Sequence, residues 1–539
     1  MIGRLVLSDR NIYKIKQENK NISGRKCLIL SESHDDILIK SSKNFTPKDD
    51  YVKINPLTNT IVETLGSVGN PKSDINIYHH LYTLNWMSKS KYNKLWEQVD
   101  CTFDLSPNRI EYNNKVITID PKGSIDLDDG FSFSFDDKYY YLSIHVSDPV
   151  SLVDPTKPIW AEIFKELIVR LQTCYIDLNE YNSSDKSSSQ TISKLSHLLP
   201  DKIIKQISLL NLDQIENKSF PEPKRAISFC FRLEILTEKI DFDLKFTNLT
   251  NIQNFTYENY DDLINLKENL ETKNNLISMC NKLIKIMKVN LENIPTNTNI
   301  SHRIIEIFMI FVNWYSGNYL INNNWKKTII RIQDLKIFDD KFDINQVPLY
   351  VRPILSYGAN YSYANFDPNT NNNTNINTST HNTHNTLGIN NYAHISSPMR
   401  RLIDMINHFG FYQIPLDKII PDFDKYFDLD KINLKLKNYK KISNSYDLLC
   451  FIKNYSGTNT NTNKFKACLL DWVKLDNLPV INCTLVLNNN IITKVINVEL
   501  PQIDLTLELK KYMEFDVELF YNPNKFKSNK FPFSIKILS

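Results

Sequence analysis

Long apolar runs are scarce in this chain of 539 residues. Its first ten residues, M-I-G-R-L-V-L-S-D-R, contain no apolar core of the kind that marks a signal peptide. The most apolar stretch, residues 304–314, is interrupted by Glu306 and is too short to cross a bilayer. We therefore expect no membrane partner and a cytoplasmic location, with a nuclear one also open.

Paired cysteines are lacking as well. The eight cysteines are scattered, and none belongs to a C-x-x-C motif, the spacing that many zinc sites use. Neither a structural zinc site nor a disulfide framework is predicted. Cysteines used in this way are typical of a reducing, intracellular environment.

The chain also lacks a strong excess of charge of either sign. The formal net charge is +3, from 64 Lys and Arg against 61 Asp and Glu. Overall charge therefore neither requires nor excludes an anionic partner such as a nucleic acid. Any basic groove has to be local.

Turn residues divide both ends of the chain into short alternating segments. In residues 1–78 they include Ser23-Gly24 and Asn55-Pro56, and the pattern predicts a small OB-like or cold-shock-like β-barrel. Residues 465–539 alternate similarly and predict a second β-domain, for which an OB-like barrel is one option. The remainder divides into a helical linker (79–112), a large mixed α/β domain (113–455) and an Asn/Thr linker (456–464).

Asparagine-rich sequence interrupts the large domain at residues 367–386. Such polar tracts bury too little apolar surface to order themselves, so we interpret this one as an inserted surface loop. It carries His381 and His384 in the sequence H-N-T-H, which imitates a metal-binding pair. Within a polar tract we expect both histidines to be exposed to solvent and to have no metal role.

The most informative stretch is V-I-T-I-D-P-K-G-S-I-D-L-D-D-G-F-S-F, residues 116–133. It places four carboxylates between two segments that favour β-strands, namely Asp120, Asp126, Asp128 and Asp129. Carboxylates this close repel one another and raise each other's pKa unless a counter-charge lies beside them. Divalent cations that prefer hard oxygen ligands, Mg²⁺ or Mn²⁺, suit such a set better than zinc.

Two other interpretations compete with a metal site. An EF-hand is excluded, because counting from Asp126 the required Gly comes one residue early, at Gly130, and no Glu closes the loop at Asp137. A solvated acidic turn stays open. The strand-forming flanks count against it, because they place the cluster at the end of a buried element. The spacing also puts Asp126 and Asp128 on one face of an extended segment.

A second informative stretch reads Y-A-H-I-S-S-P-M-R-R-L-I-D-M-I-N-H. Ser396 or Ser397 fits a helix N-cap, and Pro398 fits the first helical position. Arg400 and Arg401 would then lie in the first turn, where positive side chains oppose the helix dipole unless an anion binds nearby. The stretch therefore predicts a phosphate-binding corner. Two solvated arginines at a helix start are the alternative.

Strand and helix patterns fill the rest of the large domain. Strands are predicted at residues 139–148 and 225–237, and helices at 159–173, 257–288 and 302–320. His145 and Asp148 offer catalytic groups, but the S-D-P turn that ends their strand favours a structural role. Glu306 is either a paired structural acid or points into the site.

The two informative stretches together resemble the catalytic domain of the RNase II / RNase R family, which includes the catalytic subunit of the eukaryotic exosome. The matching motifs are T-I-D-P-x-x-x-x-D-x-D-D and, about 270 residues later, S-P-x-R-R-x-x-D-x-x-x-H. Weaker similarity lies in I-H-V-S-D, C-Y-I-D-L, F-T-Y-E and I-I-E-I-F-M-I-F-V-N. The resemblance covers residues 50–455 and implies an RNB-type mixed α/β catalytic domain flanked by small OB-like β-barrels.

The resemblance implies a 3′-to-5′ exoribonuclease that hydrolyses single-stranded RNA processively to nucleoside 5′-monophosphates by a two-metal-ion mechanism. The implied cofactor is Mg²⁺, with two ions bound, or else Mn²⁺. We expect single-stranded RNA as the partner and a monomeric protein, with exosome-like complex partners left open. A catalytically silent RNA-binding relative is the alternative, and a metal-dependent nuclease acting on DNA is a third interpretation.

Site residues follow from positions that match the family motifs. Metal-binding and catalytic acids are matched by Asp120, Asp126, Asp128 and Asp129. Arg400 matches an arginine that contacts the phosphate near the scissile bond. RNA-binding positions are matched by Tyr175, Tyr257, Glu306 and Arg401. The two tyrosines would contact bases, because stacking on an aromatic ring tolerates any base.

Overall fold

The structure is a computed structural model of the chain. It describes residues 2–5, 13–17, 20–29, 37–40, 50–55, 57–68, 73, 77, 87, 89–173, 198–211, 223–292, 294, 300–333, 348, 351, 359–364, 382–440, 464–474, 480–488, 493–501, 510–521 and 533–538. The candidate RNA-binding residue Tyr175 and the histidine His381 lie outside these residues.

An antiparallel sheet forms the N-terminal part. Its strands are β1 (Ile2–Leu5), β2 (Tyr13–Gln17), β3 (Lys20–Ile29), β4 (Ile37–Lys40), β5 (Asp50–Asn55) and β6 (Thr60–Ser67). Their order is β2-β3-β1-β5-β6, with β4 also paired to β3. The β character predicted for residues 1–78 is confirmed. Closure of this sheet into an OB-like barrel stays a prediction.

A seven-stranded sheet forms the centre of the large domain. After helix α1 (Lys89–Trp96) come β7 (Ile110–Tyr112), β8 (Val116–Asp120), β9 (Asp129–Phe135), β10 (Tyr139–Ser147), β11 (Lys224–Glu234), β12 (Ile240–Leu249) and β13 (Ile252–Thr256). Their order is β13-β8-β9-β10-β11-β12-β7. The two outer pairs, β13 with β8 and β12 with β7, are parallel, whereas the inner pairs are antiparallel. Both predicted strands, 139–148 and 225–237, are confirmed within a few residues.

Helices pack against this sheet. They are α2 (Ile159–Arg170), α3 (Asp201–Ile207), α4 (Tyr257–Ile264), α5 (Leu270–Met287), α6 (Ser301–Asn322), α7 (Leu402–Phe411) and α8 (Phe423–Tyr426), followed by helical backbone at 429–440. The predicted helices at 159–173 and 302–320 are confirmed, and the one predicted at 257–288 is divided into α4 and α5. The mixed α/β fold class is therefore confirmed for this domain.

Helix α6 is the central helix of the domain. Its Phe308 ring lies 5.2 Å from Phe131 of β9, and its Phe311 ring lies 4.8 Å from Phe231 of β11. Among the described residues it is the one helix long and apolar enough, by length and composition alone, to cross a membrane. However, 56% of its most apolar segment is buried inside the protein, and the core helix of a folded domain can have the same length and composition.

The remaining strands belong to small hairpins and to a C-terminal sheet. The hairpins pair β14 (Ile329–Ile332) with β15 (Asn360–Tyr363) and β16 (Thr383–His384) with β17 (Ile389–Asn390). The C-terminal sheet contains β18 (Lys464–Lys474), β19 (Val480–Asn488), β20 (Thr493–Pro501), β21 (Glu514–Tyr521) and β22 (Phe533–Leu538) in the order β20-β19-β18-β21-β22. The β character predicted for residues 465–539 is confirmed. The exact domain limits and an OB-like closure stay predictions.

His145 and Asp148 occupy structural positions, as expected. The buried His145 ring lies between the hydroxyls of Ser132 (3.2 Å) and Ser228 (2.7 Å). Burial lowers its pKa to about 3, so the ring is neutral at ordinary pH. Asp148 is fully buried and forms an ion pair of 2.5 Å with Arg109, whose side chain is also inaccessible.

Replacing Arg109 by alanine is expected to destabilise the protein by about 3–5 kcal/mol, because it leaves the buried carboxylate of Asp148 without a counter-charge. The free energy of unfolding in urea measures this loss. The control is Arg232→Ala, which removes a half-exposed partner of Asp241 at 2.6 Å and should cost less than about 1 kcal/mol. Equal losses in the two variants would contradict the structural role of the Arg109 pair.

Candidate active site

The acidic stretch forms the junction between two neighbouring strands. Strand β8 ends at Asp120 and β9 begins at Asp129, and the loop between them brings Asp126 and Asp128 back to the same end of the sheet. The strands approach closely at Gly130, where a Cβ atom would lie 3.0 Å from the Ile117 carbonyl oxygen. The expectation that the cluster sits at the end of a buried element is confirmed, because both strands are largely buried.

Asp128 is held by contacts from two distant parts of the chain. Its Oδ1 atom accepts a hydrogen bond of 2.9 Å from the Met399 N–H and one of 3.3 Å from the Ser147 hydroxyl. The Ser147 N–H also donates to the Asp128 carbonyl oxygen at 2.7 Å. Its Oδ2 atom is buried without a hydrogen bond, and Arg400 Nε lies 3.4 Å from it. The two sequence motifs therefore meet at Asp128.

Burial and mutual repulsion raise the pKa values of these acids. The pKa of Asp120 rises to about 8, first through burial and then through the charges of Asp129, Asp128 and Asp126. Burial also raises the pKa of Asp128 to about 8 and that of Asp129 to about 6, although Arg400 opposes both shifts. Burial is thus the larger cause and the expected repulsion adds to it. Arg400 compensates only part of the negative charge.

The acidic cluster offers the ligands that a hard divalent cation prefers. All of its side-chain donors are carboxylate oxygens, and one of them, Asp128 Oδ2, is buried without a hydrogen bond. In the part of the chain that the structure describes, no three His, Cys, Asp or Glu side chains are arranged so that they could hold a metal ion. The fit to a cation therefore lies in the type of donor, carboxylate oxygen, and in the raised pKa values, which reflect negative charge that Arg400 only partly compensates.

The arginine stretch differs from its prediction. Helix α7 begins at Leu402, and Arg401 precedes it in an extended conformation with φ −133°. The carboxylate of Asp404 accepts hydrogen bonds of 2.8 Å from the Ser397 N–H and from Arg401 Nη2, which holds a turn ahead of the helix. The placement of Ser396 or Ser397 as N-cap, of Pro398 at the first helical position and of Arg400 and Arg401 in the first turn was therefore wrong.

The turn nevertheless presents Arg400 to the acids. Arg400 donates to the Ser397 hydroxyl at 2.8 Å, and its side chain is 40% exposed. Arg401 is less accessible, at 19%, and is directed towards Asp404. The guanidinium that faces both solvent and the carboxylates is therefore that of Arg400.

Tyr257 lies beside the acidic cluster because of strand register. Strand β13 runs parallel to β8, with Thr256 opposite Asp120, and Tyr257 follows as the first residue of α4. Burial raises its pKa, and the charges of Asp120 and Asp129 raise it further. Glu306 is exposed on α6 and forms an ion pair of 2.6 Å with Arg303. Glu306 was predicted to be either a paired acid or an acid that points into the site, and in the structure it is paired.

Comparison with known proteins assigns the family. The model of the RNB domain matches residues 109–294 and 281–414, more than half of the chain. The chain belongs to the RNB domain family. Its predicted resemblance to RNase II and RNase R is thereby confirmed. No match was found among curated proteins.

Solved structures share the RNB fold at low sequence identity. Mycoplasma genitalium RNase R in complex with ribose-methylated single-stranded RNA is 13% identical with a TM-score of 0.60, over 100% of this chain and 89% of that one. An active-site mutant of the Dss1 exoribonuclease from Candida glabrata is 17% identical with a TM-score of 0.52, over 74% and 55%. Yeast Ssd1, a pseudonuclease, is 15% identical with a TM-score of 0.55, over 96% and 67%. The shared fold thus includes both an exoribonuclease and a pseudonuclease.

His384 contradicts the expectation of solvent exposure. It belongs to the β16–β17 hairpin, where it pairs with Ile389, and only 8% of its surface is exposed. Its ring packs edge-on against Tyr392 at 5.4 Å, and burial lowers its pKa to about 4. The β16–β17 hairpin therefore begins within the stretch that we interpreted as an inserted surface loop. The asparagine-rich sequence around His384 gave no indication of this burial.

Three contributors to the RNB site were missed by sequence reasoning. Met399 acts through its backbone N–H, so the identity of its side chain carries no signal. Ser147 lies in the I-H-V-S-D strand, whose match to the family was the available clue. His302 stacks on Tyr257 with ring centroids 3.6 Å apart, and no motif marked it.

In metal-free buffer, the free energy of unfolding is expected to fall as pH rises from about 5 to 8. Asp120 and Asp128 have pKa values of about 8 in the folded protein and about 4 when unfolded. The unfolded chain therefore loses these protons at lower pH than the folded one, which costs the folded state stability across that window. Saturating Mg²⁺ should reduce the loss by binding the ionised acids of the folded state.

Urea denaturation at pH 5, 6.5 and 8, with EDTA and with Mg²⁺, measures this dependence. Asp128→Asn should flatten the slope, because amide and protonated acid are both neutral. The control Asp262→Asn, at an exposed aspartate of α4, should leave the slope unchanged. A wild-type stability that is independent of pH in EDTA would refute the raised pKa values.

Proposed function

We propose that this RNB domain protein is a 3′-to-5′ exoribonuclease that hydrolyses single-stranded RNA processively to nucleoside 5′-monophosphates. The observation that carries the proposal is the junction of the two motifs at Asp128. Met399, 271 residues along the chain, donates its N–H to this carboxylate, and the guanidinium of Arg400 lies beside it. Carboxylates that bind cations and an arginine that binds phosphate suit the metal-assisted hydrolysis of a phosphodiester.

Each charged side chain has a defined task in this proposal. Asp120, Asp126, Asp128 and Asp129 would hold divalent cations, and Mg²⁺ fits these oxygen donors. A pair of such ions, when bound, supplies an activated water and stabilises the leaving 3′-oxygen. Arg400 would donate to the scissile phosphate, where its charge offsets the negative charge that grows in the transition state.

The proposed substrate is single-stranded RNA because of the aromatic rings at the site. The stacked rings of Tyr257 and His302 lie beside the acids, and stacking on an aromatic ring requires an unpaired base. A relative of the same fold, Mycoplasma genitalium RNase R, forms complexes with both single-stranded and double-stranded RNA, so the proposed preference rests on these rings. Base contacts by Tyr175 and RNA binding by Glu306 and Arg401 stay predictions, as do a monomeric state, exosome-like partners and a cytoplasmic location.

The nuclease proposal predicts mononucleotide products from end-labelled single-stranded RNA in the presence of Mg²⁺. The same sequence as single-stranded DNA should be degraded far more slowly, and Asp128→Asn should release no detectable product, because a carboxylate that binds cations is lost. Thin-layer chromatography separates the 5′-monophosphates from longer fragments. Asp262→Asn is the matched control and should keep wild-type activity. Digestion of DNA at the rate of RNA would contradict the substrate class.

Replacing Arg400 by alanine is expected to reduce kcat by about 10²–10³-fold, the loss typical when one donor to a transition-state anion is removed. Because the arginine acts on the transition state, KM should change much less than kcat. Single-turnover rates on short RNA measure the chemical step. A loss confined to KM would show instead that Arg400 only binds RNA.

A catalytically silent RNA-binding protein is the second candidate. One observation favours it, namely the fold shared with yeast Ssd1, a pseudonuclease. Tight binding of single-stranded RNA without any product, with both Mg²⁺ and Mn²⁺ tested, would decide for this candidate.

A further inference from the structure

Two aromatic rings stack face to face beside the acidic cluster. The centroids of Tyr257 and His302 are 3.6 Å apart, and the ring planes are inclined by 6°. Tyr257 is half-buried, whereas His302 is exposed. Since one face of the imidazole is covered by Tyr257, the exposed surface of His302 consists of its other face and its edges.

Backbone contacts fix the position of this ring pair. The carboxylate of Asp261, on α4, accepts hydrogen bonds of 2.9 and 3.0 Å from the N–H groups of Ile300 and Ser301 and one of 2.7 Å from the Ser301 hydroxyl. Ser301 also donates to the Tyr257 carbonyl oxygen at 3.3 Å. The first turn of α6 is therefore tied to α4, and the stack does not depend on ring attraction alone.

His302 lies at the start of one face of α6. His302, Glu306 and Asn313 are spaced by four and seven residues, so they lie on the same face of the helix. At one end of this face, His302 stacks on Tyr257. Tyr257 lies close enough to Asp120 and Asp129 for their charges to raise its pKa.

The other end of this face reaches the arginine turn. Asn313, about 17 Å further along the helix axis, accepts a hydrogen bond of 2.9 Å from the Ile395 N–H and donates one of 3.3 Å to the Ser396 hydroxyl. Arg400 follows a few residues later in the chain. The face of α6 thus connects the two ends of the candidate active site, and His302 is its exposed aromatic residue.

We propose that His302 is an RNA-binding residue, on whose open face one base near the 3′ end of single-stranded RNA stacks. Tyr257 supports the imidazole from behind, so the two rings act as one platform. The inference rests on the proposed function only in requiring that the protein bind single-stranded RNA. It requires no catalysis, because stacking precedes any chemical step. Stacking on a planar ring also places no demand on base identity.

The test is a double-mutant cycle between the protein and the RNA, carried out with the full chain carrying Asp128→Asn to prevent cleavage. The probe is a 5′-fluorescein-labelled oligoadenylate, and a series of RNAs replaces each of the last five nucleotides in turn by an abasic one. Fluorescence anisotropy gives Kd for the His302 protein and for its His302→Ala and His302→Phe variants. Asn322→Ala, an exposed change at the far end of α6, is the control.

His302→Ala is expected to weaken binding of intact RNA about tenfold, whereas His302→Phe and the control should stay within about twofold. At one abasic position the effect of His302→Ala should disappear, because the base that it contacts is already missing. Equal effects of His302→Ala at every abasic position would show a merely structural residue and overturn the proposal. So would a loss in His302→Phe as large as in His302→Ala.

The outcome separates this inference from the nuclease proposal. If the protein with Asp128 intact cleaves RNA, but the effect of His302→Ala on Kd is the same at every abasic position, only the proposed role of His302 is refuted. Coupling without cleavage would support the platform and refute the nuclease. A protein that binds no single-stranded RNA would refute both.

Discussion

The burial of like charges at one sheet end is the constraint on which the rest of the site depends. Asp120, Asp128 and Asp129 are held where water is largely excluded, and each acquires a raised pKa. A fold tolerates such a cluster only if surrounding groups fix it. Here the β8–β9 junction, Ser147 of β10 and the turn before α7 all converge on Asp128. Much of the domain's architecture can be understood as support for one carboxylate.

Backbone groups supply part of that support. The Met399 N–H and the Ser147 N–H are directed at Asp128, and Asp261 receives two N–H groups at the start of α6. Groups of this kind keep their position when side chains change, provided that the fold is kept. Solved structures with only 13–17% identity share the fold of this chain. Because one of them is an exoribonuclease and another a pseudonuclease, the fold alone does not decide between these functions.

The sequence revealed those parts of the fold that have a local cause. The alternation of F-S-F-S-F and Y-Y-Y-L-S-I-H-V-S is a period-two signal, and β9 and β10 lie where it predicts. The acids and Arg400 were identified because their motifs are compact, although only the structure shows that they meet. The start of α7 was misjudged because Asp404, seven residues after Ser397, captures its N–H and holds a turn where capping rules place a helix. His384 was misjudged because its burial depends on Tyr392 and a hairpin partner, not on the composition around it.

The separation of Asp128 from Met399 and Arg400 has a consequence for synthesis. All four acids are synthesised well before the arginine turn, because Met399 in that turn follows Asp128 by 271 residues. Until then, Asp128 lacks both its backbone donor and its neighbouring guanidinium. A nascent chain therefore exposes the acids long before it has a complete site. The order of residues along the chain thus delays assembly of the site until the arginine turn has been made.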